Sequence, residues 1–146
     1  LDMRQPFYLW NKRRRIGPLL DPDGSILGAA TPSILALDAD NKRMSLHGLP
    51  EGYALSVGDM LSFGYGSNPA NVALHRVVEA GAAMADAGGE TGLFEVRPHV
   101  RPGAAPSAAV TLVRPHALMR MVPGSFRPAA GRSFASASFS AEQHIR

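Results

Sequence analysis

The sequence predicts an all-β domain. Short apolar runs follow one another over residues 55–121, and clusters of Gly, Pro, Asn and Asp separate them. The 146 residues include 15 glycines and 12 prolines, which favours many turns over long helices. Because 45% of the residues are hydrophobic, the chain can bury one core, with room left for an extended arm.

Two all-β architectures fit this rhythm of strands. A small barrel of the OB-like type and a two-sheet sandwich both consist of short strands at this spacing, so the choice between them stays open. We expect three segments along the chain. They are an extended, basic, Pro/Gly-rich arm (1–42), the barrel or sandwich domain (43–122), and a linker with a returning strand (123–146).

The first segment combines an aromatic start with an irregular stretch. The letters PFYLW suggest a short strand or an extended arm, since aromatic residues fit a pleated surface. The letters DPDG, residues 21–24, predict a tight turn. Two strands are then expected over 34–37 and 44–49, on either side of a polar break.

Five strands are predicted in the central domain. A turn at Gly58, followed by the acidic residue Asp59, leads into the first of them. Phe94 should belong to the core, because the strand around it alternates apolar and charged residues. The predicted strands cover 59–65, 72–80, 92–97, 108–113 and 118–122.

Two loops in this domain have sequences that could be mistaken for a helix and for a phosphate loop. Residues 81–89 are rich in alanine, but glycines flank a span too short for a stable helix. We predict a hairpin loop there, with its turn over 86–89. Residues 64–71, GYGSNPAN, lack the lysine of a phosphate loop and precede a strand, so they too should form a hairpin loop.

The closing strand is predicted over residues 134–141, FASASFSA, after a Pro/Gly-rich linker. Its side chains are so small that the strand packs little by itself. We therefore expect it to complete a sheet elsewhere, in another domain or another subunit.

The net charge of +3 is local. Residues 1–20 contain five basic residues against one acidic residue, so the remainder of the chain is close to neutral. This basic cluster lies beside Phe7, Tyr8 and Trp10 and could clamp a nucleic-acid strand. The four adjacent charges of residues 12–15 give no spacing that selects bases, so a solvated or interface-facing segment is favoured.

Composition and spacing predict no catalytic, metal or cofactor site. The chain has no cysteine, and its histidines lack the i, i+4 spacing of a zinc site. No apolar run approaches the roughly 20 residues that span a bilayer, so we expect no membrane insertion. Hydrolase candidates show no G-x-S-x-G elbow, and His75, inside a predicted strand, should be packed or hydrogen-bonded. The candidates are Ser62, Ser67, His75, Asp59 and Asp86.

The order of the motifs resembles a known family. The motifs LPEGYALSVGDMLSF, LHRVVEA, LFEVRPHVRPG, VTLVRPHALMRM and SFASASFSAEQ together cover most of residues 49–142. They resemble the second half of distal tail or baseplate proteins from siphophages and prophages of α-proteobacterial type. The resemblance implies a β-barrel or OB-like insertion, after which the last strand returns to a β-sandwich. It also implies a non-enzymatic role, commonly as a hexameric ring that joins the tail tube to the receptor-binding machinery.

We therefore expect a structural protein of the virion tail, assembled in the host cytoplasm. Its partners should be other copies of itself, in a hexameric ring, and other tail proteins, with no nucleic acid and no cofactor. Arginine and aromatic residues are enriched where surfaces are buried between chains. The subunit contacts are accordingly expected at Arg97, Arg101, Arg114, Arg120, Phe126, Arg127, Phe134 and Phe139.

An alternative function follows from the aromatic and basic residues at the start of the chain. A small β-barrel with such a face could be a binding module for carbohydrate or single-stranded nucleic acid. Salt-dependent binding to an oligonucleotide would distinguish this function from tail-tip assembly, because phosphate neutralisation releases counterions.

Overall fold

The computed structural model describes residues 21–143, apart from residues 22, 69, 80, 82 and 131–134. This part of the chain contains ten β-strands and no helix, which confirms the all-β prediction. The strands are β1 (Ser33–Leu37), β2 (Arg43–His47), β3 (Met60–Gly64), β4 (Val72–Glu79), β5 (Phe94–Arg97), β6 (Val110–Thr111), β7 (Met119–Met121), β8 (Arg127–Ala130), β9 (Ala135–Ser138) and β10 (Ala141–Gln143).

The first six strands form one antiparallel sheet in the order β1-β2-β5-β4-β3-β6. Side chains on one face of this sheet pack together with residues from the loops, and the resulting core is built from residues between 27 and 113. Phe94 and Val96 are almost fully buried, as the alternation in their strand predicts. Tyr53, which lies in the loop before β3, is the largest fully buried side chain among the described residues.

The six-stranded sheet is curled until its two edge strands approach each other. An isolated bridge joins Ser33 to Ala109. The amide of Ile34 donates to the Ala108 carbonyl (3.0 Å), and the Ser107 amide donates to the Ile34 carbonyl (2.7 Å). β6 has only two residues, however, and no continuous ladder closes the sheet into a barrel. Of the two predicted architectures, the arrangement is consistent with the sandwich-like one.

The predicted turns are present in the described chain. The Gly89 amide donates to the Asp86 carbonyl (3.0 Å), which forms the turn expected over 86–89. Residues 64–71 connect the antiparallel pair β3 and β4, as expected of a hairpin loop. The Asp59 amide donates to the Ser56 carbonyl (3.0 Å), so the predicted turn does precede β3.

The predicted boundary at residue 42 falls between two paired strands. β1 lies on the arm side of that boundary, but it pairs with β2 and buries Ile34 completely in the core. Residues 33–42 therefore belong with the sheet. Residues 1–20, which include the predicted basic and aromatic segment, lie outside the described residues.

Candidate protein–protein interface

Residues 118–143, here called the C-terminal element, lie outside the six-stranded sheet. They form two separate two-stranded antiparallel sheets, β7 with β10 and β8 with β9. Of the described residues in this element, none belongs to the buried core. Residues 21–117 are called the sheet body below.

The closing strands lie outside the main sheet, as predicted, but they differ from the prediction in two ways. Their partners come from the same chain, and the predicted strand over 134–141 is divided into β9 and β10. β8 lies in the stretch that was predicted to be a linker. Its sequence RPAA has little strand propensity, and proline is tolerated there because β8 is an edge strand.

The C-terminal element exposes a group of large apolar side chains. Leu118 is 55% exposed, Met121 48%, Phe126 52% and Phe139 38%. Single exposed apolar residues are ordinary on a protein surface, but four within one short element make it the candidate interface. Residue type predicted Phe126 and Phe139 at the interface. Leu118 and Met121 were not predicted, because the interface residues were selected as arginines and phenylalanines.

The two small sheets gain little stability from their own pairing. In the β8–β9 pair, Pro128 lies opposite Ala137, and Arg127 lies opposite Ser138. The Pro, Ala and Ser side chains in these pairs bury little apolar area, and an isolated two-stranded sheet is marginal in water. The β8–β9 sheet would therefore be stabilised by packing against another surface.

Gln143 attaches the C-terminal element to the sheet body. The pairing of β4 with β5 begins at Arg76 and Arg97, so β5 does not extend alongside Leu74. There the Gln143 side chain takes the place of a strand. With its amide oriented so that both of its polar atoms find a partner, the nitrogen donates to the Leu74 carbonyl (3.1 Å) and the oxygen accepts from the Leu74 amide (2.8 Å). Just before the element, the His116 amide donates to the Ser62 hydroxyl (3.2 Å), a bond within the sheet body.

We expect Gln143→Ala to loosen the C-terminal element while the core stays folded. The change removes two hydrogen bonds to the Leu74 backbone, each worth about 1 kcal/mol. Hydrogen–deuterium exchange should become faster over residues 118–143 and stay unchanged in β2 and β5. Glu142→Ala is the matched control, because the Glu142 side chain pairs with exposed Arg120 in its own small sheet. Equal exchange in the two variants would contradict this role of Gln143.

The structure divides the predicted interface residues between two regions, and all those it describes are exposed. Arg120, Phe126, Arg127 and Phe139 lie in the C-terminal element. Three other arginines, Arg97, Arg101 and Arg114, lie at a strand end and in loops of the sheet body, and Phe134 lies outside the described residues.

Two of these arginines form ion pairs within the chain. The Arg120 guanidinium lies 2.7 Å from the Glu142 carboxylate across β7 and β10. Arg97 pairs with Glu95 on its own strand. Exposed pairs of this kind contribute about 0–1 kcal/mol, so they leave both arginines able to change partners.

His75 lies in the core and not in an exposed site. Its Nδ1–H donates to the Pro98 carbonyl (2.7 Å), and its ring stacks on Phe63 with 4.7 Å between the ring centroids. Within the described chain, Nε2 is buried and has no hydrogen-bond partner. Burial therefore lowers the pKa of His75 below 6.5, although the bond to Pro98 opposes the shift. The predicted packed and hydrogen-bonded histidine is confirmed.

We expect His75 to make the fold less stable in mild acid. Its pKa is lowered on folding, so the unfolded chain takes up a proton near pH 6.5 that the folded chain does not. The free energy of unfolding should fall as the pH drops below about 6.5, by at most about 1.4 kcal/mol per pH unit, until the folded pKa is reached. Denaturant unfolding at several pH values measures this slope. His75→Phe should flatten it, whereas His99→Asn, at an exposed histidine, should not. The same slope in His75→Phe would contradict the assignment.

Ser62 and His75, two of the hydrolase candidates, do not form a catalytic pair. Ser62 and His75 lie on adjacent strands, but Ser62 is opposite Leu74, so the two side chains point to different faces of the sheet. A serine–histidine contact that the sequence did not predict joins Ser33 Oγ to His47 Nε2 (2.8 Å). These two residues lie directly opposite each other on β1 and β2, so the contact is an ordinary cross-strand pair.

The described residues offer neither a metal site nor a helical membrane span. No group of three or more His, Asp or Glu side chains there is arranged to hold a metal ion. No helix long and apolar enough to cross a membrane occurs in that part of the chain.

Comparison with protein-family models, with curated proteins and with solved structures gave no match.

Proposed function

We propose that the chain is a structural protein of a phage tail tip, of the distal tail or baseplate kind, which acts by forming interfaces between subunits. The observation that carries the proposal is the C-terminal element, where Leu118, Met121, Phe126 and Phe139 are exposed in or next to strands outside the core. The motif order over residues 49–142 supports the same function through the resemblance described above.

On this proposal the protein resides in the virion tail after assembly in the host cytoplasm. It binds other tail proteins and forms a homo-oligomeric ring, with six subunits as the resemblance implies. Its work is the burial of surface between chains and not catalytic turnover.

The free energy from burying the exposed apolar side chains can be compared with the cost of association. Completing the burial of a half-exposed large apolar side chain contributes roughly 1 kcal/mol, so the four side chains supply roughly 4 kcal/mol. Bringing two proteins together costs about 4–15 kcal/mol in lost freedom. The apolar side chains alone therefore give weak association, and a stable ring needs additional contacts on the partner surface.

The mass of the purified protein in solution tests the proposal. Light scattering at two concentrations should give a mass well above that of one chain, and a closed ring would give the same mass at both. Phe126→Ser should lower the mass because it removes exposed apolar surface, and it should not unfold the chain because Phe126 lies outside the core.

Leu35→Ser is the matched control for this experiment. Leu35 is also a partly exposed apolar residue, but it lies on β1, away from the C-terminal element. Circular dichroism should show the same β-structure in both variants. A wild-type mass of one chain at both concentrations, or an unchanged mass in Phe126→Ser, would count against the proposed function.

A further inference from the structure

Two neighbouring loops of the sheet body form an acidic surface. The Gly52 amide donates to the Ala85 carbonyl (2.9 Å) and the Leu55 amide donates to the Ala83 carbonyl (2.9 Å), so residues 83–90 lie against residues 49–55. We call residues 49–54 and 83–90 the acidic loop face. Its exposed carboxylates belong to Glu51, Asp86 and Glu90. Neither lysine nor arginine occurs in this face.

An apolar side chain lies within this acidic surface. Ala83 and Ala85 are buried while Met84 and Asp86 point outward, as alternate residues of an extended segment do. Met84 is 64% exposed, the highest value among the large apolar residues that the structure describes. The acidic loop face therefore combines an exposed methionine with negative charge, and methionine adapts readily to the shape of a partner.

The C-terminal element has the opposite charge. By sequence, residues 118–143 contain three arginines and one glutamate, a net charge of +2. The sheet body contains ten acidic residues against six basic ones, a net charge of −4. Arg127 is exposed next to Phe126, so positive charge and apolar surface lie together in the element. The element and the acidic loop face thus complement each other in charge, and both contain apolar surface.

We propose that the C-terminal element of one copy of this chain docks on the acidic loop face of a second copy. Apolar contact around Met84 buries the exposed side chains of the element, and its arginines pair with Glu51 and Glu90. Two different surfaces meet in this contact, so each copy can give its element to one neighbour and receive an element from another. Repetition builds a ring when the rotation closes. The inference rests on the proposed function, since it specifies how that assembly forms.

The partner is another copy because both surfaces are exposed in a single chain. Met84 and Phe126 are each more than half exposed there. The element is attached at Leu74, whereas the acidic loop face follows Glu79 at the end of β4. Five residues of strand separate these points by about 16 Å. A contact with a second copy covers both surfaces without moving the element from its attachment.

The test uses two full-length variants, each with one surface altered. The element variant is Phe126→Asp with Arg127→Glu, and the face variant is Glu51→Lys with Glu90→Lys. Asp86 is left unchanged because its carboxylate accepts hydrogen bonds from the amides of Gly88 and Glu90. All four changed residues are exposed, so circular dichroism and thermal unfolding should match the wild-type protein.

Light scattering of each variant and of their equimolar mixture decides the question. We expect each variant alone to have the mass of one chain, and the mixture to have the mass of two chains, because each variant keeps the surface that the other lacks. Raising the salt concentration should weaken the mixed pair, since screening reduces the charge attraction.

Three results would overturn the inference, and they differ in what they imply for the proposed function. If the face variant keeps the wild-type mass, the acidic loop face is not the docking site, while assembly through the element stands. A mixture that stays at the mass of one chain likewise excludes the acidic loop face as the docking site and leaves assembly through the element standing. If the wild-type protein itself has the mass of one chain, the proposed function fails as well.

Discussion

Gly89→Ala is expected to lower the free energy of unfolding by about 2–5 kcal/mol. Gly89 is buried at φ +77°, a backbone conformation that costs a residue with a Cβ about 1–2 kcal/mol. A Cβ at this position would lie 2.5 Å from the Leu49 carbonyl oxygen and 3.3 Å from the Leu49 nitrogen. Overpacking of this kind costs typically about 1–3 kcal/mol more, since the obstacle is backbone.

Gly52→Ala separates the two contributions to this effect. Gly52 also has a positive φ, +74°, but no atom lies within 4 Å of the position its Cβ would take. Only the conformational cost applies, so we expect a loss of about 1–2 kcal/mol. Denaturant unfolding of both variants measures the difference. Equal losses would show that the close approach of Leu49 does not constrain Gly89.

Gly89→Ala should also alter the acidic loop face. The Leu49 amide donates to the Gly89 carbonyl (3.2 Å), and this bond joins the two loops that carry the face. A side chain at position 89 would push the loops apart at that point. We therefore expect Gly89→Ala to weaken self-association as well as stability, if the docking inference is correct.

Asp59→Ala is expected to destabilise the fold by about 1.5–3 kcal/mol. The Asp59 carboxylate is buried and accepts a hydrogen bond from the Ser56 amide (2.7 Å). Its backbone carbonyl also accepts from the Val77 amide (2.8 Å), so the residue fixes the start of β3 against β4. Alanine would leave the Ser56 amide buried without its charged partner, which is the costly way to lose a hydrogen bond.

Asp86→Ala is the matched control for Asp59. The Asp86 carboxylate also accepts from backbone amides, those of Gly88 (2.8 Å) and Glu90 (3.0 Å), but it does so on the exposed surface. Water can replace it there, so a loss of about 1 kcal/mol or less is expected. Urea unfolding of the two variants tests the contrast. A loss at Asp86 as large as that at Asp59 would mean that burial is not what makes Asp59 important.

Local sequence determined the class of fold and its turns. The turns at Asp59 and at Asp86 to Gly89 follow from residues within a few positions of each other, because glycine adopts a positive φ and aspartate accepts bonds from nearby amides. Alternation located the strand that buries Phe94 and Val96 for the same reason, since strand periodicity is local. Strand ends were less well predicted, and only 110–111 of the strand expected over 108–113 is present.

Long-range packing determined what the sequence left open. β5 lies between β2 and β4, although its neighbours in sequence are β4 and β6, because sheet order depends on contacts between distant residues. The register of β3 against β4 places Ser62 and His75 on opposite faces, and the pairing of β5 with β4 ends before Leu74, where Gln143 binds. No local pattern contains these facts.

The candidate interface divides in the same way. Sequence alone selected Phe126, Arg127 and Phe139 from residue type. The hexameric ring that the resemblance implies stays a prediction. Only the tertiary structure shows that these residues lie outside the core, because β8 and β9 pair with each other and not with the six-stranded sheet. It also joined Glu51 to Met84 and Glu90 across two loops far apart in sequence, since backbone hydrogen bonds and not periodicity hold them together.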